Sequence, residues 1–321
     1  MTSARDMDPP SDRDQIVRGI ARMLSEWAAI QETTLRKRIE ADLADISDAS
    51  LRESVARMAS TGGHWGYHPP DTVARRCSRA VHAIVLESSS ALIGAEVLEI
   101  ARARPVILLA NHLSFVDANV ADALISHASY EDVANRLTVV VGPKVFSEPI
   151  RRLASLCFGT IKIPQSASRA SGEAVMSLRE VARLASGTLE AVRTRQSKGD
   201  HLLIFVEGSR SRSAEMQSAL TAVARYVEHP DALLIPLAVW GTEKLMPVSE
   251  DRVHAADVTV RLGRPVEASA LRELCPRRAI LAQAIGFLIA DLLPPGYRGH
   301  YGRLDETLAA ARAAATAVGH A

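Results

Sequence analysis

His112 and Asp117 stand five positions apart in the run Asn111-His112-Leu113-Ser114-Phe115-Val116-Asp117, directly after the apolar stretch Val106-Ile107-Leu108-Leu109-Ala110. A short apolar run of this kind reads as a buried strand. Polar side chains at the carboxyl end of such a strand face the crevice of an open α/β sheet. There a histidine can take a proton from a hydroxyl, and an aspartate can hold the ring in one tautomer and stabilise its cation. That is machinery for making an alcohol nucleophilic; the plainer reading is a strand-end histidine that caps the next helix together with Asp117. The same spacing recurs at His127/Asp132 and His300/Asp305. His127 falls at the end of an expected helix and His300 in a Gly/Tyr loop, so neither follows a strand.

A second apolar run, residues 202–206, ends in Glu207-Gly208-Ser209-Arg210-Ser211-Arg212-Ser213. This puts a carboxylate, a glycine suited to a tight turn, hydroxyls and two guanidiniums at one strand end. Arginine donates forked hydrogen bonds that fit phosphate or carboxylate, and amides at the start of a following helix would add to an anion site. Arg212 reads more simply as part of a solvated loop capping that helix at Ser213. Two further strand ends fit the same plan. Residues 158–165 close a strand with Lys162, Pro164 and Gln165, and residues 234–241 form an apolar run with Pro236 near its start and Trp240 near its end.

The elements that must position these groups change character along the chain. Residues 1–88 read as a helical N-terminal segment whose first ten or so residues are disordered. Ile16, Ile20, Leu24, Trp27, Leu35, Ile39, Leu43 and Ile46 recur at mostly helical spacing, a second helix carries Leu51, Val55 and Met58, and a third runs from Asp71 to about Glu87. Residues 62–70 form a breaker-rich loop; its His64 and His68 lack a third ligand, so no metal is expected. The apolar stripe is a packing face or, alternatively, a membrane-surface helix. Residues 89–300 alternate strands (106–110, 137–141, 160–163, 202–206, 233–239 and 258–262) with helices (119–127, 144–157, 172–196, 214–228 and 277–293). That grammar predicts an α/β domain with a largely parallel sheet and flanking helices. Residues 301–321 are a C-terminal tail with an alanine-rich helix.

Composition narrows the class. The chain has 321 residues, 47% hydrophobic and 23% charged, enough for one large core. A net charge of +1 and the lack of a basic, aromatic-interleaved stripe argue against nucleic acid. Cys77, Cys157 and Cys275 are widely spaced, which suits a reducing cytosol better than a disulfide framework or a zinc site. The polar first ten residues lack the core of a signal peptide, and no stretch approaches the ~18 apolar residues of a membrane span. The expectation is a cytoplasmic protein, either soluble or peripheral on a membrane.

Taken in order over roughly residues 91–265, these strand ends resemble the four blocks of the glycerolipid acyltransferases related to 1-acylglycerol-3-phosphate acyltransferase. Asn111-His112 and Asp117 resemble the first block, NHxxxxD. Gly159-Thr160-Ile161-Lys162-Ile163-Pro164-Gln165 resembles the second, G-x-I-x-I-D-R. Phe205-Val206-Glu207-Gly208-Ser209-Arg210-Ser211 resembles the third, F-P-E-G-T-R-S, and residues 235–241 the fourth, a proline-containing apolar strand. Residues 92–98 also look like the family's lead-in strand.

The resemblance implies transfer of a fatty acyl group from acyl-CoA or acyl carrier protein to the hydroxyl of a lysophospholipid or glycerol-phosphate acceptor, at a membrane surface. It implies His112 as general base, Asp117 as the group that fixes the imidazole, and no metal or cofactor beyond the thioester co-substrate. Glu207, Gly208, Ser209 and Arg210 would bind the acceptor, Arg210 through its phosphate, along with Lys162 and Gln165 of the second block. Gln165 stands where that block has arginine and Pro164 where it has aspartate. Lys162 or Arg169 would have to supply the missing charge, or the acceptor carries less of it, as a lyso-aminolipid or other non-phosphate acceptor does. A non-catalytic relative that binds acyl chains is a second reading, and a thioesterase or serine hydrolase using Ser114 or Ser209 a third. Chain-length preference and oligomeric state are not encoded in these motifs.

Overall fold

The computed structural model describes residues 12–164, 177–228, 231–303 and 305–319. The N-terminal helices are α1 (Asp12–Ala28), α2 (Glu32–Asp42), α3 (Asp48–Ser60) and α4 (Thr72–Val85), with strand β1 (Gly66–His68) before α4. Strand β2 (Ala91–Ile93), helix α5 (Glu99–Ala103), β3 (Val106–Ala110), α6 (Asp117–Ile125), α7 (Glu131–Ala134), β4 (Leu137–Val141), α8 (Pro149–Ser155) and β5 (Gly159–Lys162) follow. After these come α9 (Leu178–Ser197), β6 (His201–Phe205), β7 (Leu233–Trp240), α10 (Thr242–Leu245), β8 (Thr259–Leu262) and β9 (Val266–Glu267). Helices α11 (Ala268–Leu274), α12 (Arg278–Ala290) and α13 (Ala309–Gly319) complete the described chain.

The strands make one sheet in the order β1-β5-β4-β6-β3-β7-β8-β2, with β9 also pairing β7. Its centre, β5-β4-β6-β3-β7, is parallel throughout. Strands β1, β8 and β9 run antiparallel to their central neighbours. The expected α/β class with a largely parallel sheet and flanking helices is therefore the observed one. Every residue of β3 is buried, and the pleat sends them alternately to two cores. Val106, Leu108 and Ala110 join α1–α4 on one face; Ile107 and Leu109 join α9, α11, α12 and α13 on the other.

The N-terminal segment is thus one layer of the same sandwich. Leu24, Leu35, Ile39, Leu43 and Leu51 are fully buried in the core that includes the sheet. The stripe that allowed a membrane-surface helix is consumed by packing, because an apolar helical face is removed from water by whichever surface covers it first. No described helix is long and apolar enough to cross a membrane.

Several elements differ from expectation, each for a local reason. Residues 62–70 contain a strand, β1, paired antiparallel with β5. Three residues that begin with a glycine and stop at a proline carry no alternation to reveal it. The lead-in strand over 92–98 stops at Ile93, because Gly94 turns at φ 78° against the backbone of Leu262, and a 3-10 turn continues over Ala95–Leu98. The helix expected over 144–157 is a 3-10 turn followed by α8, since Pro149 can open a helix but not lie inside one. The helix expected over 214–228 is a 3-10 turn confined to Thr221–Val227. Upstream of it the amides have tertiary partners: Met216 N–H donates to the Tyr297 carbonyl, Gln217 to Glu207, Ala219 to the Tyr301 hydroxyl and Leu220 to the Val206 carbonyl.

Candidate active site

Strand β3 delivers its last residues to the carboxyl edge of the sheet between β6 and β7. Asn111 locks this strand end to β7 with its side chain alone. Its Oδ1 accepts from Val239 N–H at 2.8 Å and its Nδ2 donates to the Val239 carbonyl at 2.8 Å. A carboxylate could supply only the first of these bonds, so the position calls for an amide. Ser114 is fully buried and its hydroxyl donates to the Met246 carbonyl at 3.3 Å, which removes it as a nucleophile.

His112 Nδ1 lies 2.7 Å from Asp117 Oδ2. The same oxygen accepts the amides of Leu113 at 2.7 Å and Ser114 at 3.0 Å, and Asp117 is 2% exposed at the first position of α6. A carboxylate held by two backbone donors cannot swing away, so it fixes the imidazole. The ring is also stacked on Phe205, centroids 4.2 Å apart. With Nδ1 facing the carboxylate, Nε2 is the nitrogen left for the cavity that His112 lines. The two other His/Asp spacings are spent elsewhere: Asp132 pairs with Arg102, and Asp305 accepts from the Thr307 amide.

The third block holds His112 from behind. Glu207 Oε1 accepts the His112 amide at 2.7 Å and Oε2 accepts the Gln217 amide at 2.8 Å, while the Ser211 amide donates to the His112 carbonyl at 2.8 Å. Glu207 is 2% exposed and does not line the cavity. Glu207 was expected to bind the acceptor; in the structure its carboxylate accepts two backbone amides, one of them that of His112. Burial pushes its carboxyl up to about 7, against the pull of those two amides. Gly208 turns at φ 67°, a conformation that favours glycine, and the chain then brings Ser209, Arg210, Ser211 and Arg212 to the cavity wall. The helix-start amides expected after Ser213 are absent, because Ala214 takes φ 62° and the amides of Met216, Gln217, Ala219 and Leu220 are engaged as described above.

The cavity has a volume of about 880 Å³ and opens at the carboxyl ends of β3, β4, β5 and β6. Its lining includes the apolar side chains Val116, Val139, Ile150, Phe158, Ile204 and Leu220, and the polar and cationic ones His112, Arg210, Arg212, Arg151 and Lys144. Arg210 lies with its guanidinium carbon 3.5 Å from the Phe115 ring centroid, and its Nη1 is buried without a hydrogen-bond partner among the described residues. Burial first, then repulsion from Arg151, lowers its pKa from the usual arginine value.

Of the second-block residues, Gly159 admits Thr138 and the Tyr67 ring where a Cβ would stand. Lys162 does not line the cavity. Its ammonium donates to the Gly62 carbonyl at 2.6 Å and sits 4.6 Å from the Trp65 ring centroid, so the structure gives no support to Lys162 as a replacement phosphate ligand. Gln165 and Arg169 lie outside the described residues. Trp240 is half-buried under Arg261 and is not part of the cavity wall. Sequence reasoning missed Phe115, Phe205 and Arg151. Phe115 falls in the unconstrained spacer of the first block, and nothing near Arg151 in the sequence ties it to a strand end.

A comparison with curated proteins gave no match. Among solved structures, the chain is similar to the 1-acyl-sn-glycerophosphate (LPA) acyltransferase PlsC from Thermotoga maritima. The two are 13% identical, the match covers 79% of this chain and 86% of that one, and the TM-score is 0.39. Residues 93–240, which run from the last residue of β2 to the last of β7 and contain His112, Asp117, Glu207 and Arg210, match the family described as Acyltransferase.

Proposed function

We propose that the protein moves a fatty acyl group from an acyl thioester, acyl-CoA or acyl carrier protein, to the hydroxyl of a lysophospholipid or glycerol-phosphate acceptor. The observation that carries this reading is the His112–Asp117 contact of 2.7 Å at a cavity lined by both apolar side chains and arginines. His112 Nε2 takes the acceptor hydroxyl proton as the oxygen attacks the thioester carbonyl carbon. Asp117 stabilises the imidazolium that results. The tetrahedral oxyanion collapses, the carbon–sulfur bond breaks, and the leaving thiolate recovers the proton from the imidazolium. The apolar side chains of the lining suit the acyl chain and the arginines suit an anionic head. Membrane contact in this reading is peripheral, with the acceptor drawn from the lipid surface.

The test is incubation of the full-length chain with labelled acyl-CoA or acyl carrier protein and a panel of acceptors, followed by lipid separation. Acyl transfer that depends on the acceptor is the expected result. Thioester hydrolysis without an acceptor, or acyl binding without turnover, would overturn it in favour of a hydrolase or a non-catalytic lipid-binding protein.

A further inference from the structure

Two guanidiniums share one aromatic ring in this cavity. The Arg210 carbon lies 3.5 Å and the Arg151 carbon 4.7 Å from the centroid of Phe115. Arg210 comes from the loop after β6 and Arg151 from α8, outside all four motif blocks. No carboxylate stands within ion-pair distance of Arg210 among the described residues, and its Nη1 is buried without an acceptor. Arg151 is paired with Asp251 at 2.7 Å, and with Glu148 at 3.8 Å. Asp251 also lines the cavity, but its side chain is 73% exposed. Like charges drawn together out of water are costly unless an anion joins them. Two forks, one with an unused N–H and one held by an exposed carboxylate, form a receptor for a doubly charged oxyanion.

Resting on the acyl-transfer reading, we propose that Arg151 and Arg210 together bind a phosphate monoester on the acceptor, with Phe115 as the platform that spaces them and Asp251 as the carboxylate the phosphate displaces from Arg151. Arg151 then supplies the second guanidinium that the sequence lacks at Gln165. Arg151, Arg210 and Phe115 line the same cavity as His112, so a phosphate between the two arginines can belong to the molecule whose hydroxyl meets the imidazole. Asp251 also acts in selection: an uncharged acceptor leaves Arg151 paired with Asp251 and gains nothing from either arginine.

The experiment uses the full-length chain and the variants Arg151→Gln, Arg151→Lys and Asp251→Asn, with Arg193→Ala on the outer surface of α9 as control. Glycerol 3-phosphate, 1-acylglycerol 3-phosphate and uncharged monoacylglycerol are compared as acceptors with acyl-CoA as donor, and binding of the two phosphates without donor is followed by calorimetry. Arg151→Gln is expected to raise the KM for a phosphate acceptor by ~10- to 100-fold, the range of a charge-assisted hydrogen bond, with donor KM and kcat little changed. Lysine should restore part of this, and Asp251→Asn should lower the same KM. The two phosphate acceptors distinguish a free head group from a lipid-borne one. An unchanged acceptor KM in Arg151→Gln, a matching rise for monoacylglycerol, or a rise confined to acyl-CoA would overturn the proposal. Phosphate binding that Arg151→Gln weakens in a protein that transfers no acyl group would preserve the binding site and refute the acyl-transfer reading instead.

Discussion

The orientation of the His112 ring is set by one carboxylate oxygen that also accepts two backbone amides. His112→Ala is expected to lower acyl transfer at least ~100-fold, the low end for a positioned general base. Asp117→Asn should also lose activity, since an amide in place of the carboxylate no longer stabilises the imidazolium. His127→Ala and His300→Ala should turn over normally, and equal losses at all three histidines in a steady-state assay would refute the assignment. Glu207 gives a different signature. Its two oxygens accept the amides of His112 and Gln217, and glutamine offers an acceptor to only one of them. Glu207→Gln should therefore lower kcat more than it raises acceptor KM. It should also cost ~1.5–3 kcal/mol of stability, the worth of hydrogen bonds to a charged group, measured by urea unfolding. A rise in acceptor KM with kcat intact would return Glu207 to the substrate.

At the scale of elements, the helices of the N-terminal segment complete one face of the sheet. Leu35, on α2, is fully buried in the core shared with β3, β4 and β7. Leu35→Ala should cost about 2–5 kcal/mol, the range for truncating a buried leucine, within a single unfolding transition followed by circular dichroism and by tryptophan fluorescence. Two separated transitions would mean that the segment folds as its own domain. The five central strands β3, β4, β5, β6 and β7 were legible in sequence to within a residue because parallel strands buried on both faces read as uninterrupted apolar runs. The expected helix over 214–228 was not, because residues 214–220 have ordinary helical composition but the amides of Met216, Gln217, Ala219 and Leu220 are claimed by Tyr297, Glu207, Tyr301 and Val206. Strand β1 was hidden for the opposite reason: three residues at a sheet edge are too few to show a period.

For the molecule as a whole, burial sets an acid limit. His68, His82 and His201 are each pushed down to about 4, in each case first by burial. His82 shows the cost directly, because its Nδ1 faces the Ser78 carbonyl at 2.8 Å and its Nε2 is buried with no partner among the described residues. An unfolded histidine takes up a proton near pH 6.5 that these folded ones refuse until about 4. Their contribution is present above pH 6.5 and lost as pH falls toward 4. Glu207 acts in the other direction: raised from 4.5 to about 7, its contribution is full below 4.5 and lost as pH rises through 7. Three groups against one leave a net loss on acidification. The urea midpoint should be lower at pH 4.5 than at pH 7.5, and the gap should narrow in His82→Gln. A midpoint that does not change across this window would contradict the burial argument.

What the sequence determined by itself was local. His112 and Asp117 are five residues apart, close enough for the turn between β3 and α6 to bring them together, and Gly208 is the residue type that a left-handed turn requires. That His112, unlike His127 and His300, follows an apolar run long enough to be a strand was also legible. Tertiary structure decided what crosses strands. Glu207 meets the His112 amide across 95 residues of chain, and that contact exists because β6 and β3 are neighbours in the sheet. The same strand order brings Arg210 to Phe115, while the packing of α8 brings Arg151 there. Spacing along the chain carries no record of which strand ends become neighbours, so a motif residue could be read correctly as part of the site and still be given the wrong partner.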